Sequence, residues 1–275
     1  MRYVLLQRHI YGITSSIRVL PDCIVIGVGR GGTTSLFKYL NQHSCITKSA
    51  HDEIGFFDDN FHLGLNWYRS MFPTKFHKKK IIKKYGKFLT YEVTPWYIRR
   101  PWIAKVIHDL LPNIKLIAVL RNPVDRVYSH YHLSKRESGI TESFEKIIET
   151  DMTNLSNFFQ NNEEHSDFYF KNIVQNSFLA RGFYAEQLEQ WYKIFPKNQI
   201  LIIPSEELAK NTQHTLDIIF KFLELTPEKI NDLKKINVAK YPPMSKSIRI
   251  KLLKYFTEYN EKLYQLINQK FEWDK

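Results

Sequence analysis

The sequence is short of cysteine: its 275 residues include two, Cys23 and Cys45. Two thiols cannot build the disulfide framework of a small secreted domain. Both flank apolar positions and are expected as reduced core side chains. No C-x-x-C pair and no histidine cluster has zinc-site spacing, so no metal is expected. Long apolar runs are also missing. The opening "MRYVLLQRHIYG" holds a three-residue apolar run, Val4 to Leu6, which Gln7, Arg8 and His9 cut short. That is too short for a signal peptide or a membrane span, so the expectation is a soluble cytoplasmic protein without a membrane partner. Repeats and linker-like composition changes are absent, which points to a single domain over 1–275.

What is present supports a sizeable core. Hydrophobic residues make up 43% of the chain and aromatic ones 15%, too many for intrinsic disorder. The formal net charge of +12 suits either solvated lysines or attraction to polyanions and anionic cofactors. Three runs read as buried parallel strands: 22–28, 115–120 and 199–204. Helical spacing follows at "TTSLFKYLNQH", with Thr33 or Thr34 near its cap, after Asn-Pro at 122–123, and over 173–194, 213–224 and 245–268. In the last of these Ile248, Leu252, Phe256, Leu263 and Ile267 form one apolar stripe. Strands alternating with helices predict an α/β fold, a central parallel sheet with helices on both faces. Two segments fit less well. "KFHKKKIIKKYGK", 75–87, reads as a solvated lysine loop, with an anion-steering patch as the alternative. Residues 151–177 lack a clear period and read as a lid or acceptor-binding insertion.

Three constellations carry chemistry. "IVIGVGRGGTTSL" is a strand, a glycine turn and a helix start. Gly27 and Gly32 have phosphate-loop spacing, but Thr33 stands where a triphosphatase has lysine. Backbone N–H groups from Gly29, Gly31 and Gly32, hydroxyls of Thr33, Thr34 and Ser35, and the cation Arg30 would make an anion nest. In "LRNPVDRVYSHY", Arg121 ends a strand and Ser129 lies two helical turns on. The pair could grip a second phosphate, or Arg121 could cap the helix or pair with Asp125. In "HDEIGFFDD", Glu53 precedes Phe56 and Phe57. Against those rings its pKa would rise and it would serve as a general base; otherwise it is a surface acid beside two core phenylalanines.

Together these stretches resemble the PAPS-dependent sulfotransferases, in the branch of the heparan-sulfate enzymes and their bacterial relatives. "GLNWYRSMF", "YEVTP", "GFYAEQLEQWYKIFP" and "YPPMS" echo that family in order, so the likeness spans about 21–273. It implies a P-loop-like fold and transfer of a sulfuryl group from PAPS, leaving PAP, without a metal. Glu53 matches the family's base. Arg30 and the loop match the 5′-phosphosulfate site, and Arg121 and Ser129 the 3′-phosphate site. Lys240 is the cation that aligns with a late basic loop. His51, Asp52, Asp58, Glu92 and Tyr184 are the acceptor-side candidates, and the acids among them would favour a cationic acceptor.

The chain departs from the family at Arg30, where lysine is usual although protein-tyrosine sulfotransferases also carry arginine. It departs again at Val93 and Gly55, where the glycan enzymes often have lysine and histidine, and in lacking their cysteine-flanked loop. The resulting expectation is a small-molecule acceptor, a natural product taking sulfate on a hydroxyl or amine, with no nucleic-acid partner. A glycan O-sulfotransferase, a Mg-dependent kinase or NTPase, and a basic polyanion-binding module are the alternatives.

Overall fold

The structure, a computed structural model, describes residues 11–161, 167–234 and 241–273. Its strands are β1 (Cys23–Gly27), β2 (Ile46–Lys48), β3 (Leu89–Val93), β4 (Lys115–Leu120) and β5 (Ile200–Pro204). The α-helices are α1 (Thr33–Leu40), α2 (Gly64–Ser70), α3 (Lys75–Tyr85), α4 (Trp102–Leu110), α5 (Pro123–Ser138), α6 (Phe144–Asn161), α7 (Tyr184–Tyr192), α8 (Ser205–Lys210), α9 (Thr212–Phe222) and α10 (Lys246–Ile267). The strands form one parallel sheet in the order β2-β3-β1-β4-β5. In register, Ile24 of β1 faces Glu92 on one side and Leu116 on the other.

Side chains alternate across a strand, and that alternation splits the core in two. Ile24, Ile26, Leu116 and Leu120 pack with Trp67 of α2, Ile103 and Ile107 of α4, Trp191 of α7 and Leu263 of α10. Cys23, Val25, Ile117 and Val119 pack on the opposite face with Leu36 and Leu40 of α1 and Leu216 and Ile219 of α9. Helices therefore cover both faces, as an all-parallel sheet requires. Both cysteines are buried and unbridged. A third cluster joins α5, α6 and α10 through Val127, Tyr131, Ile148, Leu155 and Phe256.

The three predicted strands are present. Two others, β2 and β3, have no strand signature in the sequence. β2 is three residues long. β3 reads "LTYEV", yet all five residues are buried. The polar side chain of Glu92 is satisfied inside: it accepts hydrogen bonds from the Tyr68 hydroxyl and, at 2.9 Å, from Thr94 Oγ1. Partnered polar groups can occupy the interior, and here they interrupt the apolar run without moving the strand outward.

Other boundaries need correction. Of the lysine segment 75–87, Lys75–Tyr85 is a helix, α3, not a loop. Thr74 caps it by accepting from His77 N at 3.2 Å, and left-handed Gly86 closes it. None of its residues is buried, so no apolar stripe announces it. Residues 151–161 continue α6, whose Phe144, Ile148, Leu155 and Phe158 are buried. The helix expected over 173–194 is interrupted, because the Asp151 carboxylate accepts from Leu179 N at 2.8 Å and Ser177 Oγ at 2.9 Å. Those bonds divert the backbone between the π-helical turn Tyr169–Val174 and α7. Gly32, not Thr33 or Thr34, is the N-cap of α1.

Glu92 yields a first prediction. Complete burial raises its carboxyl to about 7, against the lowering effect of its hydroxyl partners. The folded state then holds a proton that the unfolded chain releases near pH 4.5. Stability falls as pH rises between those values, by roughly 3 kcal/mol in all. Glu92→Gln should flatten the dependence of Tm on pH over that window; a wild-type Tm that climbs from about pH 5 to 7 because of this residue would refute the assignment.

Candidate active site

β1 lies between β3 and β4, and the chain's crossovers leave it in opposite directions. The carboxyl ends of the strands at such a switch point form a ligand crevice. The loop 28–32 is held there by Val28 N, which donates to Val119 O at 2.8 Å, and Gly31 N, which donates to Val28 O at 2.9 Å. A Cβ at Gly31 would meet Val119 O at 2.6 Å, so this approach demands glycine. Gly32, at φ 91°, turns the chain into α1 and supplies no side-chain acceptor. The first-turn N–H groups of α1 thus lack an intrahelical partner, an arrangement that suits an anion.

Arg30 joins the two constellations expected to hold phosphate. Its Nε donates to Ser129 Oγ at 3.0 Å. Arg121 Nη1 donates to the Arg30 carbonyl at 3.0 Å. Asp125 pairs instead with Arg249 at 2.7 Å, so Arg121 serves the loop rather than its own helix. The turn before α5 is fixed by Asn122, whose side chain accepts from Val124 N at 3.0 Å, with Pro123 in the first turn. Tyr184 is fully buried and donates to Arg121 O at 2.9 Å. It supports the arginine's backbone.

Glu53 follows β2 and is anchored by its N–H on Val93 O at 2.7 Å. It lines a cavity of about 250 Å³ with Gly29, Arg30, Thr33 and Thr34. Partial burial raises its carboxyl pKa, and the charges of Asp52 and Glu137 push it the same way. Arg30 is drawn below its ordinary value by burial first and the Arg121 charge second. Both residues occupy the left-handed region, at φ 57° and 73°. Few non-glycine residues do so, and such backbone strain gathers at functional sites.

The rest of the wall was not singled out from the sequence. Pro95, Trp96, Ile98 and Arg99 come from the segment after β3, Arg126, His130 and Leu133 from α5, and Arg181 and Gln187 from the start of α7 and the turn before it. Arg126, His130 and Leu133 recur at i, i+4 and i+7, the spacing of one helix face, so the α5 motif carried a signal beyond Ser129. Several expected acceptor residues lie elsewhere. Glu92 is sealed in the sheet. Asp58 pairs with Arg100 at 2.7 Å. Asp52 is exposed, and His51 lies in the turn where its carbonyl accepts from Ser49 Oγ at 2.6 Å. None of these four lines the cavity. No residue of 151–177 lines it either among the described residues. Ser35 is buried behind Thr33 and Thr34 in the first turn. Lys240 lies outside the described residues.

Residues 20–263 match the model of the sulfotransferase domain family. The membrane-associated sulfotransferase kil1 of Dictyostelium discoideum is 27% identical over 95% of this chain and 68% of its own. The bifunctional heparan sulfate N-deacetylase/N-sulfotransferase 2 of Bos taurus is 28% identical over 91% of this chain, which spans 30% of that protein. In fold, the chain is similar to a sulfotransferase from Alicyclobacillus acidocaldarius, with a TM-score of 0.69 and 23% identity over 94% of this chain and 100% of that one. Among the described residues no helix is long and apolar enough to cross a membrane. The match over most of its length, on a parallel sheet of the same fold, shows that the chain belongs to the PAPS-dependent sulfotransferase family and is an enzyme of sulfuryl transfer.

Proposed function

We propose that this enzyme moves the sulfuryl group of PAPS to a hydroxyl or amine of a small acceptor, with Glu53 as general base. The observation that carries the reading is one cavity shared by Glu53 with Gly29, Arg30, Thr33 and Thr34, with Arg30 bonded to Ser129 and Arg121 bonded to Arg30. The donor set fits PAPS. Uncapped first-turn amides and the Thr33 and Thr34 hydroxyls suit a 5′-phosphosulfate, and Arg121 with Ser129 suits a separate 3′-phosphate. PAPS, when bound, supplies an activated sulfuryl group. Glu53 would take the acceptor's proton, and Arg30 would offset the charge that develops on the departing oxygen. The transferred group is nearly neutral, so a metal clamp is less needed than in phosphoryl transfer.

The cavity's modest volume supports a small acceptor, since ligand pockets commonly run from about 300 to 1,000 Å³. A natural product fits that scale, and two free buried cysteines suit the reducing cytoplasm. The second reading, a glycan acceptor, rests on the heparan-sulfate relative.

PAP binding tests the donor side. Saturating PAP should raise Tm by mass action, about 2.7 kcal/mol of added stability at a hundredfold excess over Kd. Arg121→Ala should weaken PAP binding at least tenfold. An unchanged Tm at millimolar PAP would overturn the donor assignment.

A further inference from the structure

The cavity wall facing Glu53 and the loop carries more positive charge than the donor reading uses. Arg121 and Ser129 account for a 3′-phosphate, and Arg30 with the loop for a 5′-phosphosulfate. Arg99, Arg126 and Arg181 remain, all lining the same cavity beside His130. Arg126 is 3% exposed. Its Nη2 donates to the Phe178 carbonyl, yet its Nε is buried without a hydrogen-bond partner, as is the Nε of Arg99. Arg181 is braced by the Gln175 carbonyl and by His130. Asp58, Asp59 and Asp151 offset part of this charge, but among the described residues no ion pair joins any of them to the three arginines. Asp151 is engaged by Ser177 and Leu179, and Asp58 by Arg100.

Three guanidiniums gathered in a part-dry cavity repel one another. Burial comes first, and then the neighbouring arginines, in drawing Arg99 down to about 10 and Arg181 down to about 9. Burial and the same charges push His130 down to about 2, so its ring is neutral and can accept from Arg181. Both arginines still carry full charge at neutral pH. Unpaired buried donors and mutual repulsion are costly alone, and an anion between the guanidiniums would relieve both.

We propose that the acceptor bears a compact anionic group, a carboxylate, sulfate or phosphate, which Arg99, Arg126 and Arg181 hold while its hydroxyl or amine faces Glu53. The assignment deepens the sulfotransferase reading and rests on it. It replaces the cationic acceptor suggested by the acids around Glu53, since Asp52 and Asp58 do not line the cavity. It also gives the acceptor an orientation: anion at the arginine wall, nucleophile at the carboxylate.

The test isolates the acceptor side by saturating the enzyme with PAP. Sodium benzoate, sulfate and phosphate are titrated separately at fixed ionic strength and followed by Tm, with benzyl alcohol and benzylamine as neutral and cationic controls. At least one anion should give a saturable rise that neither control gives, and the strongest identifies the group. In Arg99→Gln its apparent Kd should rise tenfold or more. Arg99→Lys, which keeps the charge, should retain most of the binding. Both variants should still bind PAP, which shows that they are folded. Absence of saturable anion binding to the PAP-loaded wild type, or equal binding in Arg99→Gln, overturns the proposal. Failure of PAP to bind at all would instead overturn the donor reading, so the two failures are distinct.

Discussion

Glu53→Gln should lower kcat/KM for sulfuryl transfer by about 10²–10⁴-fold, the range of a lost general base. That corresponds to roughly 3–5 kcal/mol of transition-state stabilisation. The amide has nearly the same shape and the same backbone demand at φ 57°, so the cavity should keep its form. PAP should raise the Tm of the variant as it does that of the wild type, because Glu53 is not part of the phosphate constellations. The wild-type pH profile supplies a second readout. A base acts in its ionised form, and burial, Asp52 and Glu137 all raise its pKa. kcat/KM should therefore rise with pH through a midpoint above the ordinary carboxylate range, and that limb should vanish in Glu53→Gln. Full activity in the variant, or a limb that persists, would assign the proton to another group.

The sheet was legible where its strands are wholly apolar. β1, β4 and β5 announce themselves as unbroken runs, and Asn122-Pro123 announces α5. β3 was hidden because Thr90 and Glu92 are polar and yet buried; Glu92 is satisfied by Tyr68 from a distant position and by Thr94 just beyond the strand, whereas the Thr90 hydroxyl is buried without a hydrogen-bond partner. α3 was hidden for the opposite reason: nothing in it is buried, so no periodicity marks it. Only the pair Thr74 and Gly86, cap and stop, records it in the sequence.

The same division runs through the site. Arg30, Thr33, Thr34 and Glu53 stand in short contiguous motifs and meet in one cavity. Arg121 and Ser129 stand on one motif because a strand end and the next two helical turns keep them near the loop. The arginine wall is assembled from residues 99, 126 and 181 on three separate elements, and no spacing in the chain relates them. Acids close to Glu53 in sequence are misleading for that reason. Asp58 turns away to Arg100, and residues more than forty positions distant take its place.

Arg30 is the second large effect. Arg30→Ala should cut kcat by about 10²–10³-fold, the cost of losing one fixed positive group at a developing charge. PAP affinity should fall less, because the first-turn amides, Arg121 and Ser129 remain. The guanidinium is lowered from its ordinary value by burial and Arg121, but arginine starts so high that it keeps its charge throughout the working range. In the proposed mechanism it would therefore stabilise the leaving oxygen without giving up a proton. Arg30→Lys separates charge from geometry. The ammonium retains a cation but lacks the Nε–H that Arg30 donates to Ser129 Oγ, so a partial rate should survive. A lysine starts near 10.4, and burial beside Arg121 would lower it further. The lysine variant should lose activity on the alkaline side at a pH where the wild type holds its rate. If instead the wild type already falls there with its fold intact, and the lysine variant falls no earlier, an ionisable acid other than residue 30 protonates the leaving group, and the charge-only role of Arg30 is wrong.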